Sequence, residues 1–272
     1  IGPDFKFEVH DANAEVAYVH RREKRADIYF IRPVRGAVDP KRDRLGFRVT
    51  GKVPEIWNPV TGERTVAQAY SQENGMTWIP FDLGAPGATG FVVFRTQTEQ
   101  TAGRAERNFK RFETRKELVG PWSVSFKGLM APGDLALSKL MNLSQADEER
   151  VKYFSGLVIY RHAFEWEAPA EGEFKLSLGT VATAAEVVLN GVECGTVWTA
   201  PNEALVTGAL RRGKNVLEVR VANLWANRLI GDERLPADQR KTWTTFTGYT
   251  RDSDVAAVQS GLLGPVTIRV AE

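Results

Sequence analysis

Two stretches near the end of the chain combine side chains that could recognise a sugar. The first, from Asn223 to Asp232, reads Asn-Leu-Trp-Ala-Asn-Arg-Leu-Ile-Gly-Asp, and the second places Trp243 after Lys241 and Thr242. An indole ring can stack on a pyranose face, while amide and guanidinium groups bond to its hydroxyls. These residue types favour a carbohydrate contact. The alternative reading, which stays open here, is that both tryptophans plug the end of a β-sandwich core.

The candidate sugar contacts lie in segments that follow predicted strands. They are Trp225, Asn227, Arg228, Trp243, Tyr249, Trp198 and Asn202. Trp198 and Asn202 belong to a separate turn, Val-Trp-Thr-Ala-Pro-Asn. A structural role is the competing interpretation for each of these residues taken alone.

The chain offers little for catalysis. It has no Gly-x-Ser-x-Gly elbow, and His162, in an alternating apolar run, reads as a packed strand residue. Glycoside hydrolysis needs two carboxyl groups roughly 5 to 9.5 Å apart. Asp232 and Glu233 are adjacent and would point to opposite sides of an extended segment. Asp232 working against Asp252 or Glu203 remains the alternative of an autonomous hydrolase, but we expect no catalytic residue.

No metal-binding or cofactor-binding motif stands out. The single cysteine, Cys194, cannot form an internal disulfide or by itself a thiolate metal site, and no histidine pair has helical ligand spacing. We therefore expect no cofactor. One alternative stays open, a structural calcium held by oxygen atoms of Asp252, Asp254 and Asn227.

Charge and hydropathy exclude two classes of partner. The formal net charge is only +2, from 36 basic and 34 acidic residues, which gives no reason to expect nucleic acid. A local basic cluster reads as a solvated face or a domain contact; it comprises Arg21, Arg22, Lys24, Arg25, Arg32, Arg35, Lys41, Arg42 and Arg44. No apolar run approaches the ~18 residues of a membrane span.

Strand signals dominate the chain and predict an all-β protein of two antiparallel β-sandwich domains. Short β-branched or aromatic runs at 27–32, 45–50, 77–82 and 90–96 predict a small sandwich over residues 16–97. A polar, non-periodic stretch at 98–114 predicts a linker. Residues 115–272 predict a jelly roll of about eight strands.

Two local features of the second half bear on this prediction. Asn190-Gly191, between apolar runs, predicts a hairpin with a type I′ turn. Helix is scarce, and Asp134 to Leu140 is the one short candidate.

Longer motifs resemble a known family. The strings shared with it include Tyr153-Phe154-Ser155-Gly156, Ala185 to Gly191, Asn223-Leu224-Trp225, Asn227 to Asp232, Thr242-Trp243-Thr244, Ser260 to Val266, and, earlier, Asp27-Ile28-Tyr29-Phe30 and Trp57 to Glu63. They resemble the C-terminal β-domains of glycoside hydrolase family 106, the α-L-rhamnosidases. Those domains include the family 2-type sugar-binding, galactose-binding-like domain.

The resemblance implies a role for the whole chain. In that family the catalytic carboxylates and a calcium belong to an N-terminal barrel that has no counterpart here, so residues 1–15 are expected to be a tail leading from it. The expected function is a non-catalytic accessory or carbohydrate-binding region acting with that barrel on plant or microbial polysaccharide. The resemblance also implies a periplasmic or secreted protein. An autonomous hydrolase and a protein-interaction scaffold remain the alternatives.

Overall fold

A computed structural model of the protein describes residues 2–36, 43–81, 89–168, 171–245 and 256–272. The chain divides into two compact units, Ile1–Arg111 and Phe112–Glu272. Each unit is built around two antiparallel sheets, with a further two-stranded sheet in the second unit, and the prediction of an all-β chain with two sandwiches is confirmed.

The first unit contains nine described strands. They are β1 (Phe5–Glu8), β2 (Glu15–Arg22), β3 (Asp27–Arg35), β4 (Arg44–Phe47), β5 (Lys52–Trp57), β6 (Arg64–Val66), β7 (Ser71–Glu73), β8 (Met76–Ile79) and β9 (Gly90–Gln97). One sheet has the order β1-β4-β8-β7 and the other β2-β3-β9-β5-β6. Alternation along β3 sends Tyr29 and Ile31, both fully buried, into the core between the sheets. Phe47 and Phe94 meet Tyr29 there.

Two segments predicted to lie outside the first sandwich are part of this unit. Residues 1–15, predicted as a tail, contain β1, which pairs with β4. Residues 98–111, most of the predicted linker 98–114, run beside residues 68–72. The amide of Gly103 donates to the carbonyl of Tyr70, and the Asn108 side chain bonds the backbone of Gln68 and Ala69. The polar composition of residues 98–114 predicted a linker. The backbone groups that Asn108 and Gly103 bond are distant in sequence, so the composition did not indicate this packing.

The second unit is larger. Its strands are β10 (Phe112–Glu117), β11 (Trp122–Lys127), β12 (Leu135–Leu137), β13 (Gly156–Trp166), β14 (Phe174–Ser177), β15 (Thr180–Val181), β16 (Ala184–Leu189), β17 (Val192–Val197), β18 (Glu203–Leu205), β19 (Gly213–Asn223), β20 (Leu262–Gly264) and β21 (Thr267–Ala271). Its helices are α1 (Glu149–Lys152) and α2 (Trp225–Glu233), with short 3-10 turns at Leu143–Gln145 and Ala237–Gln239. Neither α-helix is long enough to cross a membrane.

A six-stranded sheet, β12-β11-β13-β19-β16-β17, faces a four-stranded sheet, β10-β21-β14-β18, across the core of the second unit. The core is filled by inward side chains such as Tyr160, Leu217 and Phe174. The predicted hairpin joins β16 to β17: Asn190 (φ 55°) and Gly191 (φ 81°) are both left-handed, as a type I′ turn requires.

Helix occurs where the sequence did not predict it. The candidate at Asp134 to Leu140 contains strand β12, which pairs with β11. Conversely, the stretch from Trp225, for which the sequence predicted no helix, is the nine-residue helix α2. Tertiary packing decides here, since six consecutive residues of α2, 227 to 232, are buried.

Replacing Gly191 by alanine is expected to lower the free energy of unfolding by about 1 kcal/mol, because an alanine is strained at positive φ. Gly133→Ala is the matched control, since Gly133 also has open space around it but does not have a positive φ. Urea unfolding followed by circular dichroism measures both. Equal stability of the two variants would contradict the assigned turn.

Candidate carbohydrate-binding end of the second unit

The register of the six-stranded sheet brings the predicted site segments to one edge. Gly156 pairs with Asn223, Ala184 with Ala222, and Ala185 with Val197. The turn after β17 and the helix after β19 therefore leave the sheet at the same end. Their strands are separated by one intervening strand, a distance of about 10 Å.

Three exposed indole rings mark this end. Trp198 is 60% exposed, Trp225 is 54% exposed and Trp243 is 80% exposed. Trp225 is the first residue of α2. Trp243 follows Thr242, whose amide donates a hydrogen bond to Asp232 in the last turn of that helix. We call the surface formed by Trp198, Trp225 and Trp243 the tryptophan end. The alternative prediction, that Trp225 and Trp243 plug the sandwich core, is wrong because neither side chain is buried.

A buried ion pair holds the segment that carries Trp225 and Trp243. Arg228 Nη2 donates to Asp232 Oδ1 over 2.5 Å, one helical turn along α2, and both side chains are almost completely buried. Asp232 Oδ2 accepts hydrogen bonds from the amides of Lys241 (3.1 Å) and Thr242 (2.7 Å) and from the Thr242 hydroxyl (2.5 Å). One carboxylate thus joins the helix to the segment before Trp243.

Asparagine side chains secure the other side of the helix. Asn227, fully buried, exchanges two hydrogen bonds of 2.8 Å with the backbone of Val258. Asn223 Oδ1 accepts from the amide of Gly261 at 3.0 Å. The amide of Leu262 donates to the Tyr160 hydroxyl at 3.1 Å, and burial raises the pKa of Tyr160. This framework fixes residues 256–262 against α2.

Close packing requires a glycine in α2. A Cβ built at Gly231 would lie 2.6 Å from the Cβ of Tyr153. The absence of that atom lets the helix lie against Tyr153, over whose ring Arg234 also sits, 5.7 Å from the centroid.

The predicted sugar contacts in the described residues divide into two groups. The exposed group is Trp198, Trp225 and Trp243, and the group bonded within the protein is Asn202, Asn227 and Arg228. Asn227 and Arg228 are buried and bonded within the protein, so the expectation that they present donors to a sugar is corrected: they build the framework. Asn202, half-buried with φ 52°, donates to the carbonyl of Gly179 and shapes the Trp198 turn. Tyr249 lies outside the described residues.

The carboxylates considered for hydrolysis are engaged in structural pairs. Asp232 is described above, Glu233 pairs with Arg240 at 3.0 Å, and Glu203 pairs with Arg269 and with Lys175. Asp252 and Asp254, the calcium candidates, lie outside the described residues. Within the part of the chain that the structure describes, no group of three His, Cys, Asp or Glu side chains could hold a metal ion.

Sequence families match separate parts of the chain. The alpha-L-rhamnosidase family, glycosyl hydrolase family 106, matches residues 1–72. The glycosyl hydrolase 2 galactose-binding domain-like family matches residues 135–258, which include the tryptophan end. The solved structure of a rhamnosidase from Novosphingobium sp. PP1Y aligns with 98% of this chain at 36% identity and a TM-score of 0.80. The predicted resemblance to family 106 α-L-rhamnosidases is confirmed.

The relatives are much longer than this chain. The aligned part is 25% of the Novosphingobium rhamnosidase. A protein of Formosa agariphila, provisionally named a beta-glucuronidase, is 39% identical in a 178-residue alignment that covers 56% of this chain and 15% of that protein. These comparisons relate the chain to glycoside hydrolases and confirm a galactose-binding-like second unit.

Substitution at Asp232 tests the framework. Asp232→Asn is expected to lower the free energy of unfolding by about 3–5 kcal/mol, because it leaves the Arg228 charge buried without its partner. Arg228→Met should cost less, since Asp232 keeps three hydrogen-bond donors. Glu233→Gln, in a half-buried pair, should cost less than about 1 kcal/mol.

Urea unfolding monitored by tryptophan fluorescence and circular dichroism ranks these three variants. If Asp232→Asn proved as stable as Glu233→Gln, the buried pair would not hold this end of the unit.

Proposed function

We propose that this chain is a non-catalytic accessory region of a rhamnosidase-like glycoside hydrolase, and that its second unit binds carbohydrate at the tryptophan end. The observation that carries the proposal is that three exposed indoles stand on a rigid, buried framework at one end of a galactose-binding-like sandwich. An indole presents a flat apolar face on which a sugar ring can stack.

Polar groups beside the rings fit the same ligand. Lys241 and Thr245 are exposed on either side of Trp243 and can bond to hydroxyl groups. The nearby carboxylates of Asp232 and Glu233 are held in ion pairs, so neither is placed to act as a general acid or nucleophile. These features favour binding over hydrolysis by the chain itself.

The catalytic partner and the location are further parts of the proposal. Because the chain spans 25% of the solved rhamnosidase, we propose that it works beside a catalytic barrel that acts on plant or microbial polysaccharide. The family resemblance supports a periplasmic or secreted location, which fractionation of the source cells would test.

Affinity electrophoresis tests the carbohydrate site. The chain should be retarded in gels containing one of rhamnogalacturonan, xylan or arabinogalactan, and not by a charged polymer without sugar. Trp225→Ala and Trp243→Ala should each weaken retention about tenfold, as loss of a stacking aromatic does. Val216→Ala is the matched control, since Val216 is 51% exposed on the same sheet but seven residues from Asn223 along β19.

Retention that is unchanged in both tryptophan variants would place the site elsewhere. No retention by any glycan would contradict the binding proposal and favour a scaffold that presents the tryptophan end to another protein domain.

A further inference from the structure

The outer face of the five-stranded sheet in the first unit is unusually apolar for a surface. Strands β3 and β9 alternate, with Tyr29 and Phe94 turned into the core and Phe30 and Phe91 turned outward. An outward face of an antiparallel sheet is ordinarily polar. The outward rings of Phe30 and Phe91 contact each other, with centroids 5.0 Å apart.

Strand register extends this pair into a row across the whole sheet. Val19 pairs with Phe30, Phe30 with Phe91, Phe91 with Trp57, and Trp57 with Arg64. Five strands at about 4.8 Å spacing give the row a length of roughly 19 Å. We call it the aromatic row. In the neighbouring row Val93 pairs with Ile28 and is only 1% exposed, so the centre of that row cannot contact a ligand.

Guanidinium groups border the aromatic row. Arg64 lies 4.3 Å over the Trp57 ring and Arg95 lies 5.3 Å from the same ring. Arg32 projects from β3 on one side of the row and Arg21 from β2 on the other. Both are exposed.

One carboxylate on this face neutralises one of the four arginines. Glu55 bonds Arg95 at 2.8 Å and the Trp57 indole at 3.0 Å. Burial alone would raise the pKa of Glu55, but these hydrogen bonds outweigh it and hold the pKa below its usual range. Arg64 lies near enough to help lower the pKa of Glu55, although among the described residues no salt bridge joins Arg21, Arg32 or Arg64 to a carboxylate. The four arginines and Glu55 together give this face a net charge of +3.

We propose that the aromatic row and its arginines bind a linear polysaccharide that carries carboxylate groups. A straight ribbon about one residue wide suits an extended chain of sugar rings, and guanidinium groups bind carboxylates in bidentate geometry. A protein partner fits this face less well. A stable protein interface covers about 800 Å² on each side with a compact apolar centre, whereas this row is about one residue wide. The site lies on the first unit, and the tryptophan end lies on the second.

The probe is polygalacturonate, with its fully methyl-esterified form as the neutral counterpart of the same backbone. We expect the chain to bind polygalacturonate at low salt, to lose affinity as salt rises, and to bind the ester at least tenfold more weakly. Binding is measured by isothermal titration calorimetry. Poly-L-glutamate and oligo(dT) serve as polyanions without uronate rings.

Variants separate this face from the rest of the molecule. Arg32→Gln with Arg64→Gln should weaken binding tenfold or more, because each removes a charge-assisted hydrogen bond. Arg104→Gln with Arg212→Gln removes the same charge from exposed positions off the face and should leave affinity unchanged. Phe30→Leu with Phe91→Leu removes the rings, keeps apolar volume, and should weaken binding at least threefold.

The tryptophan-end variant Trp225→Ala with Trp243→Ala should retain polygalacturonate binding, so this proposal and the proposed function fail independently. Three results would overturn the inference: no binding of polygalacturonate, equal binding of poly-L-glutamate or oligo(dT), or binding unaffected by the Arg32 and Arg64 substitutions.

Discussion

The end of the second unit depends on a buried guanidinium–carboxylate pair inside a short helix. Removing Arg228 and Asp232 from water is costly, and such a pair is tolerated only when further hydrogen bonds satisfy the charges. Asp232 obtains them from Lys241 and Thr242, nine and ten residues along the chain. The same carboxylate that stabilises α2 thereby positions Trp243, whose own ring is 80% exposed.

This arrangement explains how exposed aromatic rings can be held without burying them. Asn227, Asn223 and Gly231 do the packing and hydrogen bonding beneath the surface, so Trp225 and Trp243 are free to face a ligand. Pre-organised rings lose little conformational entropy on binding, which suits recognition of a weakly interacting sugar. Asp232 and Glu233 are both held in ion pairs within this framework.

The sequence predicts the strands well because their alternation is a local property. The Asn190-Gly191 turn is visible in the pattern. Helix α2 was missed because tryptophan, asparagine and glycine are weak helix formers. The spacing of Arg228 and Asp232, four residues apart, was the available clue. The partners of Asn108 and Asn227 are 28 to 40 residues away, and local reasoning cannot identify them.

The most direct test is to follow the indole N–H signals of the seven tryptophans by NMR while an oligosaccharide from the retained glycan is added. The account predicts shifts at Trp225 and Trp243, a smaller one at Trp198, and none at Trp122, which is buried in the core of the second unit. Saturable shifts confined to other tryptophans, with Trp225 and Trp243 unmoved, would contradict the assignment of carbohydrate binding to the tryptophan end.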